Sequence, residues 1–469
     1  MMWVWLWTDI MVWGLVLALG AWGWTISRSP QVKTQWLAIF RSKIAMASAI
    51  VLLFYLSIAL LDSLHFRLAL PDQNQGQTSG QERQYAGQTT SALDWVFNEI
   101  RSQTERTYSA PFALKEHSTS IVKDEDGRVL QQHLELLHAG AHLTDPSQRA
   151  ADITQKSVFA LAVALAISGL LISLHLAWRS RALGRRFGEQ AGLVLKGKAD
   201  LPWRTAYLTF TLGLVILSWL YYLGHYYHVL GTDKVGGDVL YQSFKSVRTG
   251  VLIGVLTTLV MLPLALILGI SAGLFRGWVD DVIQYVYTTL NSIPGILLIA
   301  ASVLVMQTII TNNPQWFETA TERADFRLLV LVLILGLTSW TSLCRLLRAE
   351  TLKISQVEYV TAARAFGVSR FKIITRHILP NVMHIVLIAV VLDFSALVLA
   401  EAVLSYVGVG VDPTMNSWGN MINQARLEMA REPMVWWSLF SAFVFMFILV
   451  LAANLFSDRV QRVLDPKNN

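Results

Sequence analysis

Long apolar runs alternate with short polar loops along most of the chain, each run close to the roughly 20 residues a helix needs to cross a bilayer. Nine such runs occur, near 3–26, 44–61, 157–178, 205–227, 249–274, 288–310, 328–347, 382–406 and 435–456. The pattern predicts an all-α integral membrane protein with about nine transmembrane helices. One hydrophilic segment, about 62–155, breaks the rhythm and reads as a small insert. Its first part, Pro71 to Thr90, is rich in Gln, Gly, Ser and Thr, as flexible linkers are. Beyond it Leu93, Val96, Phe97 and Ile100 fall at helical spacing, and a second helix is expected over Val129 to Leu137.

The loop between the seventh and eighth of these runs, Glu358 to Asn381, is too well patterned for a plain connector. Tyr359, Ala362, Ala363 and Phe366 fall at i, i+3, i+4 and i+7, one face of a short helix. The two alanines leave that backbone open to close approach. Gly367 is placed to end the helix, and a second is expected beyond it with Phe371, Ile374 and Ile378 on one stripe. Pro380 closes the loop before the next span. Such a helix–glycine–helix hook suits docking into a groove on a soluble protein.

Composition agrees with the apolar pattern. The 469 residues are 54% hydrophobic and 15% charged, and the mean hydropathy is +0.46, figures of a multi-span membrane protein. Tryptophans crowd toward span ends, as at Trp3, Trp5, Trp24, Trp178, Trp203, Trp418 and Trp436, where an amphipathic ring prefers the interface. Residues 1–26 lack a basic leader region and carry Asp9, so an uncleaved first span is expected rather than a signal peptide.

Loop charge orients the spans. The 27–43, 179–204 and 344–376 loops are strongly basic, and basic loops remain inside. Together they predict an external N-terminus, an external insert and an internal C-terminus ending in Asp465-Pro466-Lys467. The pI of about 9.3 then reflects topology, and no nucleic-acid partner is expected. Five histidines fall in the insert: His65, His117, His133, His138 and His142. Gly140 between His138 and His142 disfavours a shared helix face, so surface histidines are expected and no metal site.

The hook resembles the coupling loop of ABC-importer permeases, with the pattern Glu-Ala-Ala, three residues, Gly, nine residues, Ile-x-Leu-Pro. Ala362, Ala363, Gly367, Leu379 and Pro380 sit at matching positions. Thr361 stands where the family has glutamate and His377 where it has isoleucine; Glu358, one turn earlier, is a candidate substitute for the glutamate. His377-Ile-Leu-Pro-Asn381 has the form of the dipeptide/oligopeptide/nickel branch. Three further stretches, within about 205–466, resemble that branch. Leu230-Gly-Thr-Asp-Lys-Val-Gly-Gly-Asp238, followed by Arg248, is similar to its Gly-Thr-Asp-x-x-Gly-Arg-Asp motif, with Gly237 replacing the arginine. Within it Gly231, Thr232 and Asp233 suit a turn, and Asp238 can cap the next helix. Leu290-Asn-Ser-Ile-Pro-Gly-Ile-Leu297 looks like the branch's proline-marked span start. Glu401 to Gly410, then Ser417-Trp418-Gly419-Asn420, is similar to its Leu-Gly-Leu-Gly and Ser-Trp-Gly loop.

The resemblance implies four parts: two N-terminal spans (1–61), the external insert (62–155), a third span with a basic loop (156–204), and a permease domain (205–469). The last would hold six spans of an ABC type I importer core and the coupling loop 350–381. It implies an inner-membrane transport subunit for peptides or related solutes such as nickel chelates. Its partners would be a second permease subunit, two ABC ATPase subunits and an external substrate-binding protein. No Gly-x-x-x-x-Gly-Lys-[Ser/Thr] loop is present, so ATP and Mg would reside on the partner subunits. No catalytic triad or metal-hydrolase pattern stands out, so no enzyme activity is expected of this chain. Asp393 and Glu401 lie eight residues apart inside one span, candidates for a translocation path or for polar pairing. The single cysteine, Cys344, is expected to serve packing. A secondary transporter would show paired intramembrane charges and an inverted repeat, and a membrane sensor an output domain. The pattern contains none of these.

Overall fold

A computed structural model describes residues 2–28, 30–69, 85–87, 89–123 and 129–464. Most of the 71–90 linker and the Asp465-Pro466-Lys467 tail lie outside the described residues. Among the described residues, eight helices are long and apolar enough to cross a membrane. The first of the nine expected spans is the 21-residue helix Trp7–Ser27, apolar over Trp7–Ala21 among the described residues.

Several spans differ from the apolar runs at their ends. Val239–Phe275 starts ten residues before the expected 249, and Arg149–Ala182 runs past 157–178 at both ends. The run 288–310 is two elements, Trp278–Ser292 and Gly295–Asn312. Ile293 between them is extended at φ −92°, ψ 132°, because a residue preceding proline is driven out of the helical region by the Pro294 ring.

The chain divides into two compact units. One comprises Met1–Val4, Trp36–Thr249 and Asn416–Ala452. Here Trp203–Gly224 packs along both Lys43–Asp62 and Arg149–Ala182. Phe54 and Phe210 stack at 5.7 Å, over Gly213, where a Cβ would stand 2.6 Å from the Phe54 ring. The insert contributes Leu93, Phe97 and Ile100, which are buried with Leu223, Leu240 and Phe244. Leu93 and Ile100 come from the short helices Ala92–Val96 and Asn98–Ser102, and Phe97 joins the two; Val96, the remaining member of the expected stripe, is exposed. The expected helix at Val129–Leu137 is absent. Val129–Gln132 is instead a strand paired antiparallel with Ser120–Lys123. Adjacent Val and Leu followed by two glutamines suit an exposed two-stranded ribbon as well as a helix, and pairing decided the matter. A second small sheet joins Met2–Val4, His65–Arg67 and Thr90–Ser91.

The other unit comprises Trp5–Gln35, Gly250–Met415 and Ala453–Asn469. Its core includes Met261, Ala265, Leu343, Cys344, Leu347 and Val386, drawn from three long helices. Gly269-Ile-Ser-Ala-Gly273 brings Val239–Phe275 against Ala320–Ile354. A Cβ at Gly269 would lie 2.8 Å from the Cys344 carbonyl, and one at Gly273 2.8 Å from that of Arg348. Small residues four apart permit this backbone approach, a contact typical of helices in lipid. Cys344 is fully buried at the crossing. Trp7–Ser27 joins Ala320–Ile354 through Thr8, whose N–H donates to Asp325 at 3.0 Å and whose hydroxyl donates to the other carboxylate oxygen.

Candidate functional site

The hook is built on two legs. Glu358–Ala365 is helical, and Gly367 turns the chain at φ +74°. The Val368 N–H reaches the Ala363 carbonyl at 3.1 Å and the Gly367 N–H the Arg364 carbonyl at 3.0 Å, the paired bonds of a Schellman stop. Ser369 then starts Arg370–Ile373 by accepting from the Lys372 N–H at 3.4 Å. A π-helical turn, Ile374–Ile378, carries it straight into Leu379–Tyr406. Pro380 therefore sits in the first turn of a continuing helix, where its missing N–H is easily tolerated.

The π-turn overturns the expected stripe. Ile378 is buried as expected, but Phe371 is 77% exposed and Ile373, five residues before Ile378, takes the buried place, because an i→i+5 turn sets residues five apart on one face. Val360 joins Ile373 and Ile378 in the core and pins the first leg from below. Above it Tyr359 and Phe366 project outward, Phe366 86% exposed. Glu358, Thr361, Ala362 and Gly367 are also exposed and Ala363 partly so. Thr361 spends its hydroxyl on the Val357 carbonyl at 3.0 Å, so it is no substitute for an acid. Glu358 has no ion pair or hydrogen bond among the described residues. The legs are tied by Tyr359, whose hydroxyl accepts from Asn381 at 3.1 Å and whose ring lies 5.8 Å from that of His377. Below the hook, Arg348 grips Asp280 through two bonds of 2.5 and 2.7 Å. These hydrogen bonds hold the Asp280 carboxyl below its usual range.

In the other unit, the Gly231–Asp238 loop is fastened to the insert. Gly231 takes φ +72°, and a Cβ there would stand 2.5 Å from the Ser109 carbonyl and 2.8 Å from the Trp437 ring. Thr232 does not bond its own backbone. Its hydroxyl accepts from the Ser109 N–H at 2.6 Å and donates to the Thr107 carbonyl at 2.9 Å. Asp233 closes the turn by accepting from Val235 and Gly237 at 3.0 and 2.7 Å. Asp238 accepts from the Tyr241 N–H at 3.1 Å, in the first turn of Val239–Phe275.

Sequence reasoning passed over His228, the centre of this region. Its Nδ1 lies 2.6 Å from Asp238 and its Nε2 3.4 Å from Glu105, all three side chains 1% exposed. Glu105 also accepts from Leu137 and His138 N–H groups at 2.7 and 2.8 Å. Burial alone would drive Glu105 up and His228 down. The hydrogen bonds win, holding Glu105 at about 2 and His228 at about 9. His138 and His142 flank a turn at Gly140, φ +73°, and share no helix. Arg248 is buried and donates to Ser63 at 3.3 Å. Trp418, equally buried, donates to the Ser243 carbonyl at 3.2 Å, with Gly419 buried beside it.

The two intramembrane acids part company. Glu401 is buried and accepts from Ser405 at 2.7 Å. Asp393 is partly exposed and has no hydrogen bond or ion pair among the described residues.

Known proteins resemble the C-terminal half of the chain. Residues 265–469 match the model of the family described as binding-protein-dependent transport system inner membrane component. The glutathione transport system permease protein GsiD of Pectobacterium atrosepticum is 31% identical over 51% of this chain and 73% of its own length. The dipeptide transport system permease protein DppC of Bacillus subtilis is 29% identical, over 51% and 69%. The oligopeptide transport system permease protein OppC of Mycobacterium tuberculosis is 34% identical, over 51% and 76%. By these likenesses, this chain belongs to the family of binding-protein-dependent transport system inner membrane components.

Proposed function

We propose that this multi-pass inner-membrane protein is a permease subunit of an ATP-driven importer for di- or oligopeptides or related small solutes such as nickel chelates. The observation that carries the reading is the hook: a rigid, self-tied turn whose most prominent residue, Phe366, is 86% exposed. An isolated phenyl ring on a polar loop gains nothing in water and much in a partner's pocket. The partner is an ABC ATPase, which supplies the ATP and Mg that this chain has no loop to hold. Closure of two such ATPases on the hook residues Glu358 to Pro380 rocks the spans and alternates access. Glu358, exposed and unpaired, takes the ion-pairing role of the family's glutamate.

The six spans within 205–469 form the transport core with a second permease subunit, and an external binding protein delivers cargo. The N-terminus and the insert lie outside, the basic loops and the hook inside. Pulldown of the chain in mild detergent, with identification of what copurifies, tests this. ABC ATPase and a second permease subunit are expected. A chain that copurifies with neither, yet transports alone, is a secondary transporter.

A further inference from the structure

Asp393 is the fifteenth of the 28 residues of Leu379–Tyr406, so at 1.5 Å per residue it lies about 20 Å from either end. A carboxylate at that depth is costly unless something neutralises it. Glu401 on the same helix finds Ser405, whereas no described residue serves Asp393. Its direction is fixed by its neighbours. Phe394 covers Gly254, where a Cβ would lie 2.5 Å from the ring, and Ser395 donates to Asn454 at 2.8 Å. Leu397 and Val398 are buried beyond them. These contacts turn Asp393 to the edge of an exposed stripe made by Leu392, Ala396, Leu399 and Val403. The apolar centre of that stripe suits a lipid or helix contact, and its edge borders whatever passes beside it.

We infer that Asp393 receives the ammonium group of the cargo as it crosses the membrane. This rests on the peptide-permease reading above and names the chemistry recognised there. An α-ammonium is shared by free peptides of every sequence, so one carboxylate serves a broad range of them. The pair forms only while cargo is present, which explains why the carboxylate has no partner within its own chain.

The test is import of radiolabelled trialanine and N-acetyl-trialanine by the intact complex in liposomes. The ratio of the two rates is compared between wild type and Asp393→Asn. Both cargoes arrive through the same binding protein, so its selectivity cancels. The preference for the free amine should fall about tenfold in Asp393→Asn, the loss of one charge-assisted contact, and Asp393→Glu should retain it. An unchanged ratio overturns the inference. So does loss of the second permease subunit from purified Asp393→Asn, which would make Asp393 an intersubunit pair. If wild type imports neither peptide while still copurifying with its ATPases, the peptide reading itself fails, and the role of Asp393 with it.

Discussion

The imidazole of His228 lies 2.6 Å from the carboxylate of Asp238, and neither side chain is more than 1% exposed. With Glu105 on its other nitrogen, His228 is a buried cation between two anions. Its proton affinity is raised on folding from 6.5 to about 9. A raised value means the stabilisation is whole below about 6.5, declines as pH rises, and is gone above about 9. The thermal midpoint of the detergent-solubilised protein, followed by tryptophan fluorescence, should therefore drop between pH 7 and pH 9.5. His228→Gln should flatten that dependence and cost about 3–5 kcal/mol at pH 7, because two buried carboxylates lose their counter-charge. A midpoint that climbs over the same range would contradict the assignment.

Gly236 offers an independent probe of the same junction. It adopts φ +75°, and a Cβ there would stand 1.8 Å from the Glu105 carbonyl oxygen. Gly236→Ala should cost about 2 kcal/mol or more through strain and displacement of the insert. Gly188→Ala, with open space around it, should leave the melting temperature within a degree or two.

At the hook, Phe366→Ala should leave the amount of protein in the membrane unchanged, since the ring touches little of its own chain. It should remove about 2 kcal/mol or more of ATPase affinity, as the loss of a buried aromatic anchor does. Ala363→Trp should overfill the same contact by about 1–3 kcal/mol. Cargo-stimulated ATP hydrolysis and uptake by the reconstituted complex should fall in both. Normal coupling in both variants would remove the hook from the mechanism.

Orientation is open to labelling in intact cells. In a Cys344→Ala background, Gln131→Cys on the exposed ribbon should react with an impermeant thiol reagent. Gly188→Cys, in the basic 179–204 loop, should react only after the membrane is opened. The reverse pattern would invert the topology.

What could be read from the chain alone followed from local physics. Apolar length marked the spans, because a helix in lipid must satisfy its backbone internally. Gly367 marked the hook's turn, because positive φ is costly for other residues. His228 could not be found that way: Glu105 is 123 residues distant, and a histidine beside a span looks like any interfacial one. The partners of Thr232 were hidden for the same reason, Thr107 and Ser109 being more than a hundred residues away. The stripe through Phe371 failed because a helical period of 3.6 was applied across a π-turn. Ser91, outwardly a loop residue, is fully buried and donates to Asp62 at 2.6 Å.

The fastening of insert to loop has a consequence for how the protein is made. Glu105 leaves the ribosome before His228, and two membrane-length helices, Pro146–Ala182 and Trp203–Gly224, intervene. The nascent chain thus carries an unmatched glutamate through two insertion events before its histidine arrives. Two crossings return the chain to the side it left, so the charge cluster can close only if both helices insert; a chain in which one of them fails to cross leaves Glu105 and His228 on opposite sides of the membrane.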